Sequence, residues 1–398
     1  GQKNLLMLTV EEAITKLTGA IEPLVATETV PVADSLGRVL AVDVEALVNV
    51  PPADNSAMDG YAFCYAAAAA QGFELPLSQR IVAGSAPRPL ADKSVARIFT
   101  GGELPSGADT VAMQENCTPR TDWIAIDPEV ARGANVRRRG QDLIAGCTAV
   151  SARTRIRAQE MGMLSSIGVG NISVYRRLKV AVFSTGDELV EPGVPLEAGQ
   201  IYTANRATLC GLVRAWGMQP VDLGNVADAA QATREILVKA ASEADVVICS
   251  GGVSVGEEDH VRAAVAAVGA IDFWRVAIKP GKPLAFGHVR GVPLIGLPGN
   301  PASVFVTACI LARPFLFAAQ GCSDGQLATF KARACFARRG ETREAYLRAR
   351  LTAGGGVELF PNQSSGVLSS ACWGDVFVRQ KSGESIQVDD LVDVLPYS

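Results

Sequence analysis

The apolar residues of segment 178–321 fall in short runs that alternate with longer amphipathic stretches. The apolar runs cover 178–183, 220–223, 245–249, 284–286 and 294–297, and the helical stretches cover 205–216, 229–243, 259–268 and 301–317. Strands that alternate with helices of this length are typical of βαβ units, in which helices cover both faces of a parallel sheet. The pattern therefore predicts a doubly wound α/β domain from residue 178 onward.

The chain on either side of this segment has shorter apolar runs. Thr9 and Glu12 are spaced as a capping box, which predicts a helix ending near Ile21. Short β-branched segments separated by glycine and proline dominate before residue 146, and strand-like alternation returns after residue 327. We expect an α/β multidomain fold in four units: a helical or linker unit of 1–45 plus 147–177, an inserted β domain of 46–146, the α/β domain of 178–326, and a small β-barrel of 327–398.

The length and charge of the chain limit the classes of protein to which it can belong. At 398 residues the chain is longer than one hydrophobic core usually organises. A net charge of −4 argues against nucleic-acid binding, which needs a basic surface; the basic cluster 137–139 suits either a solvated loop or a phosphorylated ligand. No charged segment followed by an apolar run opens the chain, and the apolar stretch 304–312 is shorter than the ~20 residues that span a bilayer. We expect a cytoplasmic protein that binds neither nucleic acid nor membranes.

Cysteine and histidine usage exclude two further classes of site. The nine cysteines are scattered, and no two are spaced as in a zinc knuckle or a thioredoxin-like pair, so we expect free thiols in a reducing compartment. The two histidines, His260 and His288, are too few for a histidine-rich metal site. A serine–histidine hydrolase is also disfavoured.

Polar residues follow the predicted strands of the α/β domain at the point where each strand ends. Ligands of an open parallel sheet bind beyond the carboxyl ends of its strands, so residues in these positions are candidates for one site. They are Thr185, Gly186, Asp187 and Glu188 after the first strand, Asp228 after the second, Ser250, Gly251, Gly252, Ser254 and Gly256 after the third, and Pro298, Asn300 and Pro301 after the last.

These residue types suit a phosphorylated ligand. Glycines let backbone amides approach an anion, and Lys279 and Lys282, in the proline-bracketed K-P-G-K-P loop, suit a phosphate or an oxyanion. Glu188, Asp228 and Asp259 could hold Mg²⁺, which takes one or two carboxylates together with substrate phosphates and water. Taken singly, each feature has an alternative: a tight turn, a pair of solvated lysines, or helix capping at Asp228, Asp259 and Asn300.

A second polar cluster lies in the first half of the chain. Asp59 stands in the loop 51–62, Thr100 in the segment 99–111, and Arg137 and Asp142 in a charged segment further on. By spacing alone these are turn residues. Nothing in the pattern explains why they should join the site of the α/β domain.

Six segments resemble the signatures of the MoeA family, the molybdopterin molybdenumtransferases, to which the gephyrin E domain also belongs. They are 54–62, 100–111, 184–188, 250–259, 279–287 and 296–303, and they include D-N-S-A-M-D-G-Y-A and K-P-G-K-P. The resemblance implies four subdomains, among them a MogA-like α/β domain, in an elongated homodimer. It also implies a reaction that joins molybdate to adenylylated molybdopterin and releases AMP, with Mg²⁺ required.

The resemblance also assigns roles to individual residues. Asp59, Thr100, Arg137 and Asp142 would reach the cleft from the other subunit. Glu188, Asp228 and Asp259 match acidic site positions of the family, Lys279 matches a site lysine, and Pro298 and Pro301 match prolines that shape the cleft. By this resemblance we expect Asp59, Thr100, Asp142, Glu188, Asp228 and Asp259 to be catalytic.

Three positions depart from the family pattern. Arg275 stands where many members have lysine, Thr203 replaces a usual aspartate, and Q-S-S-G at 363–366 replaces the more usual Q-G-S-H. We still expect the transferase, with Arg275 among the substrate-binding residues. Two alternatives stay open: a molybdopterin adenylyltransferase, or a non-catalytic molybdopterin-binding scaffold. Other proteins of molybdenum cofactor biosynthesis are the expected partners.

Overall fold

A seven-stranded sheet forms the centre of the computed structural model, which describes residues 7–19, 21–254 and 258–397, the side chains of 258 and 259 excepted. Across the sheet the strands are, in order, Met7–Leu8, Gly269–Val276, Pro283–Val289, Val292–Leu297, Val246–Ser250, Lys179–Thr185 and Gln219–Val226. The last four are mutually parallel, which confirms the predicted carboxyl edge.

The predicted parallel sheet contains one antiparallel strand. Pro283–Val289 runs antiparallel to both Gly269–Val276 and Val292–Leu297. Arg290 and Gly291, both with positive φ, are the two residues that join it to the next strand. A two-residue turn of this kind can connect only antiparallel neighbours.

Helices cover both faces of the sheet, as predicted. Val180 and Val182 are buried in one apolar cluster, whereas the alternate residues Ala181 and Phe183 are buried in another. This alternation is the two-residue period of a strand that is buried on both faces. The helices that cover the first face are Val10–Thr18, Asn205–Ala215, Pro301–Thr307 and Arg313–Gln320, and those that cover the second are Ala230–Glu243 and Glu258–Val265.

The longest apolar helix runs past a proline. Pro301–Thr307 continues through a π-helical segment, Ala308–Ala312, into Arg313–Gln320. A proline inside an α-helix clashes with the carbonyl four residues earlier, and the wider π turn before Pro314 accommodates it. Within the described chain this stretch has the length and hydropathy of a membrane span, but 83% of its most apolar window is buried in the protein, as in a core helix.

The first helix packs on the α/β sheet. Thr9 and Glu12 form the predicted capping box, with 2.8 Å from the Thr9 amide to the Glu12 carboxylate, and the helix ends at Thr18. Its residue Leu17 belongs to the apolar cluster of the sheet, whereas Leu164 of the helix Ala158–Ser166 packs in a separate cluster. The sequence pattern predicts that these two helices share one unit. The division of the chain into four units stays a prediction.

The segment between the helices Val10–Thr18 and Ala158–Ser166 is mostly β structure. Its six-stranded sheet has the order Thr110–Met113, Gly60–Phe63, Val95–Ile98, Glu74–Ile81, Trp123–Ile126 and Cys117–Pro119, with the helix Tyr65–Ala70 formed by the alanine run. The two-stranded pairs of the chain are Asn55–Ser56 with Val136–Arg137, Val44–Glu45 with Thr148–Val150, Thr27–Pro31 with Asn171–Tyr175, and Leu189–Val190 with Ile201–Tyr202.

The C-terminal region is a small closed barrel, as predicted. Its strands are Phe330–Ala334, Glu344–Leu351, Gly356–Leu359, Val376–Gln380 and Leu391–Pro396, with a short helix Ser369–Trp373. The barrel closes because Glu344–Leu351 pairs with both Gly356–Leu359 and Val376–Gln380. Ile278–Lys279 pairs in parallel with the start of Glu344–Leu351, which ties the K-P-G-K-P loop to the barrel.

Candidate active site

A cavity of about 760 Å³ opens at the carboxyl edge of the sheet and is also lined by residues of the C-terminal region. Twelve of the residues predicted from the sequence line it: Thr185, Gly186, Glu188, Asp228, Ser250, Gly251, Ser254, Lys279, Lys282, Pro298, Asn300 and Pro301. The motifs that are separate in sequence therefore share one space.

Other predicted residues of this domain do not line the cavity. Asp187 is exposed, and its carboxylate accepts a hydrogen bond of 3.0 Å from the Asp228 amide. Gly252 packs against Val261, which a β-carbon at that position would approach to 2.8 Å. Arg275 lies near the carboxyl end of the strand Gly269–Val276, which runs in the same direction as Val292–Leu297, but it does not line this cavity, so its role in substrate binding stays a prediction. Gly256 and the Asp259 side chain lie outside the described residues.

Three loops of the sheet edge contact one another closely. The Ser184 and Ser250 hydroxyl oxygens, at the ends of adjacent strands, are 2.7 Å apart. Gly251 has a φ of +88°, and a β-carbon there would lie 2.9 Å from the Thr185 carbonyl oxygen. The Gly251 amide also donates to the Leu297 carbonyl at 3.2 Å. Glycine at 251 is therefore required by both conformation and space.

The K-P-G-K-P loop packs against the end of the last parallel strand and the helix that follows it. A β-carbon at Gly281, whose φ is +95°, would lie 2.8 Å from the Thr307 methyl group and 3.3 Å from Pro298. Pro301 occupies the first turn of the helix, where proline is favourable. This contact holds Lys279 and Lys282 beside Asn300.

Glu188 is folded back over the turn that precedes it. A β-carbon at Gly186 would lie 2.6 Å from a Glu188 carboxylate oxygen. The Glu188 carbonyl accepts a hydrogen bond of 2.9 Å from the Ile201 amide, which fixes the backbone of this turn. Glycine at 186 therefore leaves the Glu188 carboxylate room on the cavity wall.

Charges of both signs meet in the cavity. Glu188 and Asp228 contribute carboxylates, and Lys279, Lys282 and Arg343 contribute cations. Carboxylates of this kind suit a divalent cation, while the cations suit phosphate or another oxyanion. Among the described side chains, no group of three or more His, Cys, Asp and Glu residues could hold a metal by itself.

The ammonium group of Lys279 is already paired. It lies 2.6 Å from a carboxylate oxygen of Glu341, which also accepts a hydrogen bond from Arg338. Burial raises the pKa of the Glu341 carboxyl, but the hydrogen bond and charge of Lys279, together with Arg338, hold that pKa below its ordinary value. The cavity therefore presents one neutralised lysine.

Helix capping does not explain two of the polar residues at the edge, Asp228 and Asn300. Ala229 is the N-cap residue of the helix Ala230–Glu243, so Asp228 lies outside that cap. Asn300 is an N-cap residue, but its side chain makes no capping hydrogen bond. His260 Nε2 lies 3.9 Å from the Asp228 carboxylate, and this histidine does not line the cavity. The capping alternative is wrong for Asp228 and for the side chain of Asn300.

Several residues of the site are not among those predicted from the sequence to form it. Arg343 lines the cavity from the C-terminal region and donates to the Ile278 carbonyl at 3.1 Å. Thr203 lines it as well, and its buried hydroxyl has no hydrogen-bond partner in the part of the chain that the structure describes. The segment 363–365, noted only as a departure from the family pattern, also forms part of the wall.

A fully buried arginine supports that last wall segment. Arg348 donates to the Ser370 hydroxyl at 3.0 Å and to the Tyr346 carbonyl at 3.0 Å, and its carbonyl accepts from the Gln363 side chain at 2.9 Å. Burial lowers its pKa to about 10, because the charged guanidinium is poorly solvated there. A position four residues into a barrel strand gives no hint of this role.

The residues predicted from the first half of the chain form their own cluster. Asp59 accepts hydrogen bonds of 2.8 Å from both the Thr100 amide and the Thr100 hydroxyl. The amide's hydrogen bond, followed by that of the hydroxyl, holds the pKa of the Asp59 carboxyl below its ordinary value. Arg137 is exposed at the end of the short strand Val136–Arg137, and Asp142 is exposed in the segment that follows. None of these four residues lines the cavity within the chain.

Comparison with protein families covers nearly the whole chain. Residues 8–168 match the profile described as MoeA N-terminal region (domain I and II), residues 181–318 match a probable molybdopterin binding domain, and residues 332–397 match the MoeA C-terminal region (domain IV). The molybdopterin molybdenumtransferase of Haemophilus influenzae is 39% identical over 317 residues, which are 79% of this chain and 78% of the relative. The chain belongs to the MoeA family.

Other MoeA relatives extend this similarity along the chain. The molybdopterin molybdenumtransferase of Synechococcus elongatus is 31% identical and covers 92% of this chain and 93% of its own. The crystal structure of the molybdopterin biosynthesis moeA protein from Pyrococcus horikoshii superposes with a TM-score of 0.83 at 26% identity, covering 98% of this chain and 100% of that chain. The MoeA fold therefore includes the C-terminal barrel and the inserted β segment, as well as the α/β sheet.

Proposed function

We propose that this MoeA protein acts in molybdenum cofactor biosynthesis as a transferase that inserts molybdate into adenylylated molybdopterin and releases AMP. The observation that carries the proposal is the cavity at the carboxyl edge of the sheet, which is lined by the carboxylates Glu188 and Asp228 and by the cations Lys279, Lys282 and Arg343. The related transferases named above support the substrate class.

The charged groups suit the cleavage of a pyrophosphate. When AMP leaves, negative charge accumulates on the departing phosphate, and a fixed cation such as Lys282 stabilises it. Molybdate is itself an oxyanion and needs a cationic or amide-lined pocket, and the lysine loop offers cations for it. The sulfur atoms that bind molybdenum belong to the substrate, so no protein thiolate is required. Burial raises the pKa of the Cys249 thiol to about 12, and this group stays protonated.

The carboxylates fit a magnesium ion. Mg²⁺ is held by one or two protein carboxylates and completes its coordination with substrate phosphates and water, and two carboxylates lie on the cavity wall. Glu188 and Asp228 would hold the ion, with Asp259 as the third predicted ligand. When bound, the ion would neutralise charge on the pyrophosphate.

A homodimer would complete the site. Asp59, Thr100, Arg137 and Asp142 do not line the cavity of their own chain, and a second subunit could bring them to it. Leu47, which is 66% exposed, and Ile144, which is 61% exposed, lie on paired segments beside these loops and offer apolar surface for such a contact. We propose that these segments contact the partner subunit. We further propose a cytoplasmic location, with other proteins of cofactor biosynthesis as partners and no binding to nucleic acid or membranes.

The test is a defined reaction with purified components. We expect the chain, given Mg²⁺, molybdate and adenylylated molybdopterin, to release AMP and to form a cofactor that activates a cofactor-free molybdoenzyme. Glu188→Ala, which removes a cavity carboxylate, should abolish both signals. Absence of AMP release by the wild-type chain would refute the proposal, and ATP-dependent adenylylation of molybdopterin would replace it with an adenylyltransferase.

A further inference from the structure

The two lysines of the K-P-G-K-P loop are in different electrostatic states. Lys279 is paired with Glu341 at 2.6 Å, whereas Lys282 has no carboxylate partner among the residues that the structure describes. Both line the cavity, but Glu341 does not. A carboxylate this close to an ammonium group cancels most of the field that an incoming anion would feel.

The barrel holds Glu341 in place. The Glu341 carbonyl accepts a hydrogen bond of 2.7 Å from the Gly383 amide, and the preceding Gly340 amide donates to the Ser385 hydroxyl at 3.1 Å. Arg338, which also binds the Glu341 carboxylate, donates to the buried side chain of Gln380 at 3.0 Å. The acid is therefore fixed, and the lysine, with its flexible four-carbon side chain, is the partner that can move.

Glu341 also forms an ion pair with a second cation, Arg338. If Lys279 turns to a ligand, Arg338 still neutralises the Glu341 carboxylate, so no unpaired charge is left at the barrel. Breaking a partly buried ion pair is costly mainly because the remaining partner loses its compensation. The triad of Lys279, Glu341 and Arg338 avoids most of that cost.

We propose that Glu341 is a positioning residue that holds Lys279 against the barrel while the cavity is empty and releases it when an oxyanion binds. Lys282 makes the first contact with the anion, and Lys279 follows by leaving Glu341 to Arg338. The inference rests on the proposed function for the identity of the anion, molybdate or a substrate phosphate. It links the C-terminal barrel to the charge of the α/β site.

The first test is calorimetric titration of the full chain with molybdate and, separately, with inorganic phosphate. Glu341→Gln removes the competing charge, so we expect molybdate to bind about two- to fivefold more tightly, which corresponds to one partly exposed ion pair. Glu341→Asp keeps the charge and should restore affinity toward the wild-type value. Glu358→Gln is the matched control, because it removes one negative charge from the same barrel at an exposed pair with Arg350.

A second variant should change molybdate affinity in the opposite direction. Arg338→Gln leaves Glu341 with Lys279 alone, so we expect molybdate to bind about two- to threefold more weakly. A purely structural role would make Glu341→Gln and Arg338→Gln weaken binding alike, and that result would overturn the proposal. Equal affinities of Glu341→Gln, Glu358→Gln and the wild-type chain, or no anion binding in any variant, would also overturn it. These titrations measure binding and need no turnover. A wild-type chain that failed to release AMP would refute the proposed function, whereas the role of Glu341 would still be decided by the anion affinities.

Discussion

At the scale of single residues, Arg348 is the least expected part of the site. It is fully buried without a carboxylate within ion-pair distance among the described residues, and it holds the wall segment 363–365 from behind. An arginine retained where burial opposes its charge suggests a role other than stability.

We therefore expect Arg348→Met to lower kcat/KM about tenfold, which is ~1.4 kcal/mol, while the unfolding temperature changes little. The methionine removes a poorly solvated charge, but it cannot hold the Ser364 carbonyl. Steady-state AMP release and thermal unfolding would measure the two effects. Arg350→Met, on the outside of the same barrel strand, serves as the control. Equal kcat/KM for the two variants would show that Arg348 does not support the site.

The Asp59–Thr100 contact makes a prediction about pH. Because the folded-state pKa of Asp59 is below its ordinary value of 3.8, its hydrogen bonds stabilise the fold above that pH and are lost as the pH falls through the lowered value. Thr100→Val removes the hydroxyl donor but keeps the amide, so we expect the Asp59 pKa to rise partway toward 3.8. A carboxyl NMR titration would show the shift. An unchanged pKa would mean that the hydroxyl contributes nothing.

Site residues that come directly after a strand could be predicted from the sequence. Contacts with residues that are distant in the sequence could not. Glu188, Asp228 and Ser250 could be assigned because the carboxyl ends of parallel strands share one edge. Lys279 was assigned as well, but its ion pair with Glu341 spans 62 positions and depends on how the barrel docks. Arg275 does not line the cavity, although its strand, which the apolar pattern did not reveal, ends at the same edge of the sheet, and its role in substrate binding stays a prediction.

At the scale of elements, the lysine loop depends on one glycine. Gly281 has a φ of +95° and would meet Thr307 at 2.8 Å if it carried a β-carbon, so Gly281→Ala combines backbone strain with a clash. We expect a loss of roughly 1–3 kcal/mol in the free energy of unfolding by urea, and weaker molybdate binding as the loop shifts. Gly291 has a φ of +80° but open space around it, so Gly291→Ala is the control that measures backbone strain without a clash. Equal losses would show that the contact with Thr307 is unimportant.

Helix ends were easier to predict from the sequence than strands, because a helix cap depends only on neighbouring residues. The capping box of Thr9 and Glu12 was predicted correctly, because it depends on residues three apart. The strand Gly269–Val276 was not predicted, since its buried residues alternate with polar ones and form no continuous apolar run. Its hairpin partner Pro283–Val289 was found as an apolar run but assigned the wrong direction.

At the scale of the whole molecule, the cavity lies between parts that are remote in sequence. The α/β sheet contributes the carboxylates and the lysine loop, and the C-terminal region contributes Arg343 and the segment 363–365. Cavities between domains are common ligand sites because each part can supply different groups. The loops around Asp59 do not line the cavity within one chain, and in the proposed homodimer a second subunit would bring them to it.

Shared sites in a homodimer predict complementation between inactive variants. In a mixed dimer of Asp59→Asn and Glu188→Ala subunits, one cleft carries both changes and the other carries neither. Random pairing makes half of the dimers mixed, so coexpression should restore about a quarter of the wild-type rate of AMP release, although each variant alone is inactive. Asp59→Asn coexpressed with Arg137→Ala is the control: both changes lie on the same side of the cleft, so each mixed dimer has one defect in each cleft. If the first pair stayed inactive in confirmed mixed dimers, Asp59 and Glu188 would have to act within one chain, and the loops of the β domain would have to close over their own cavity.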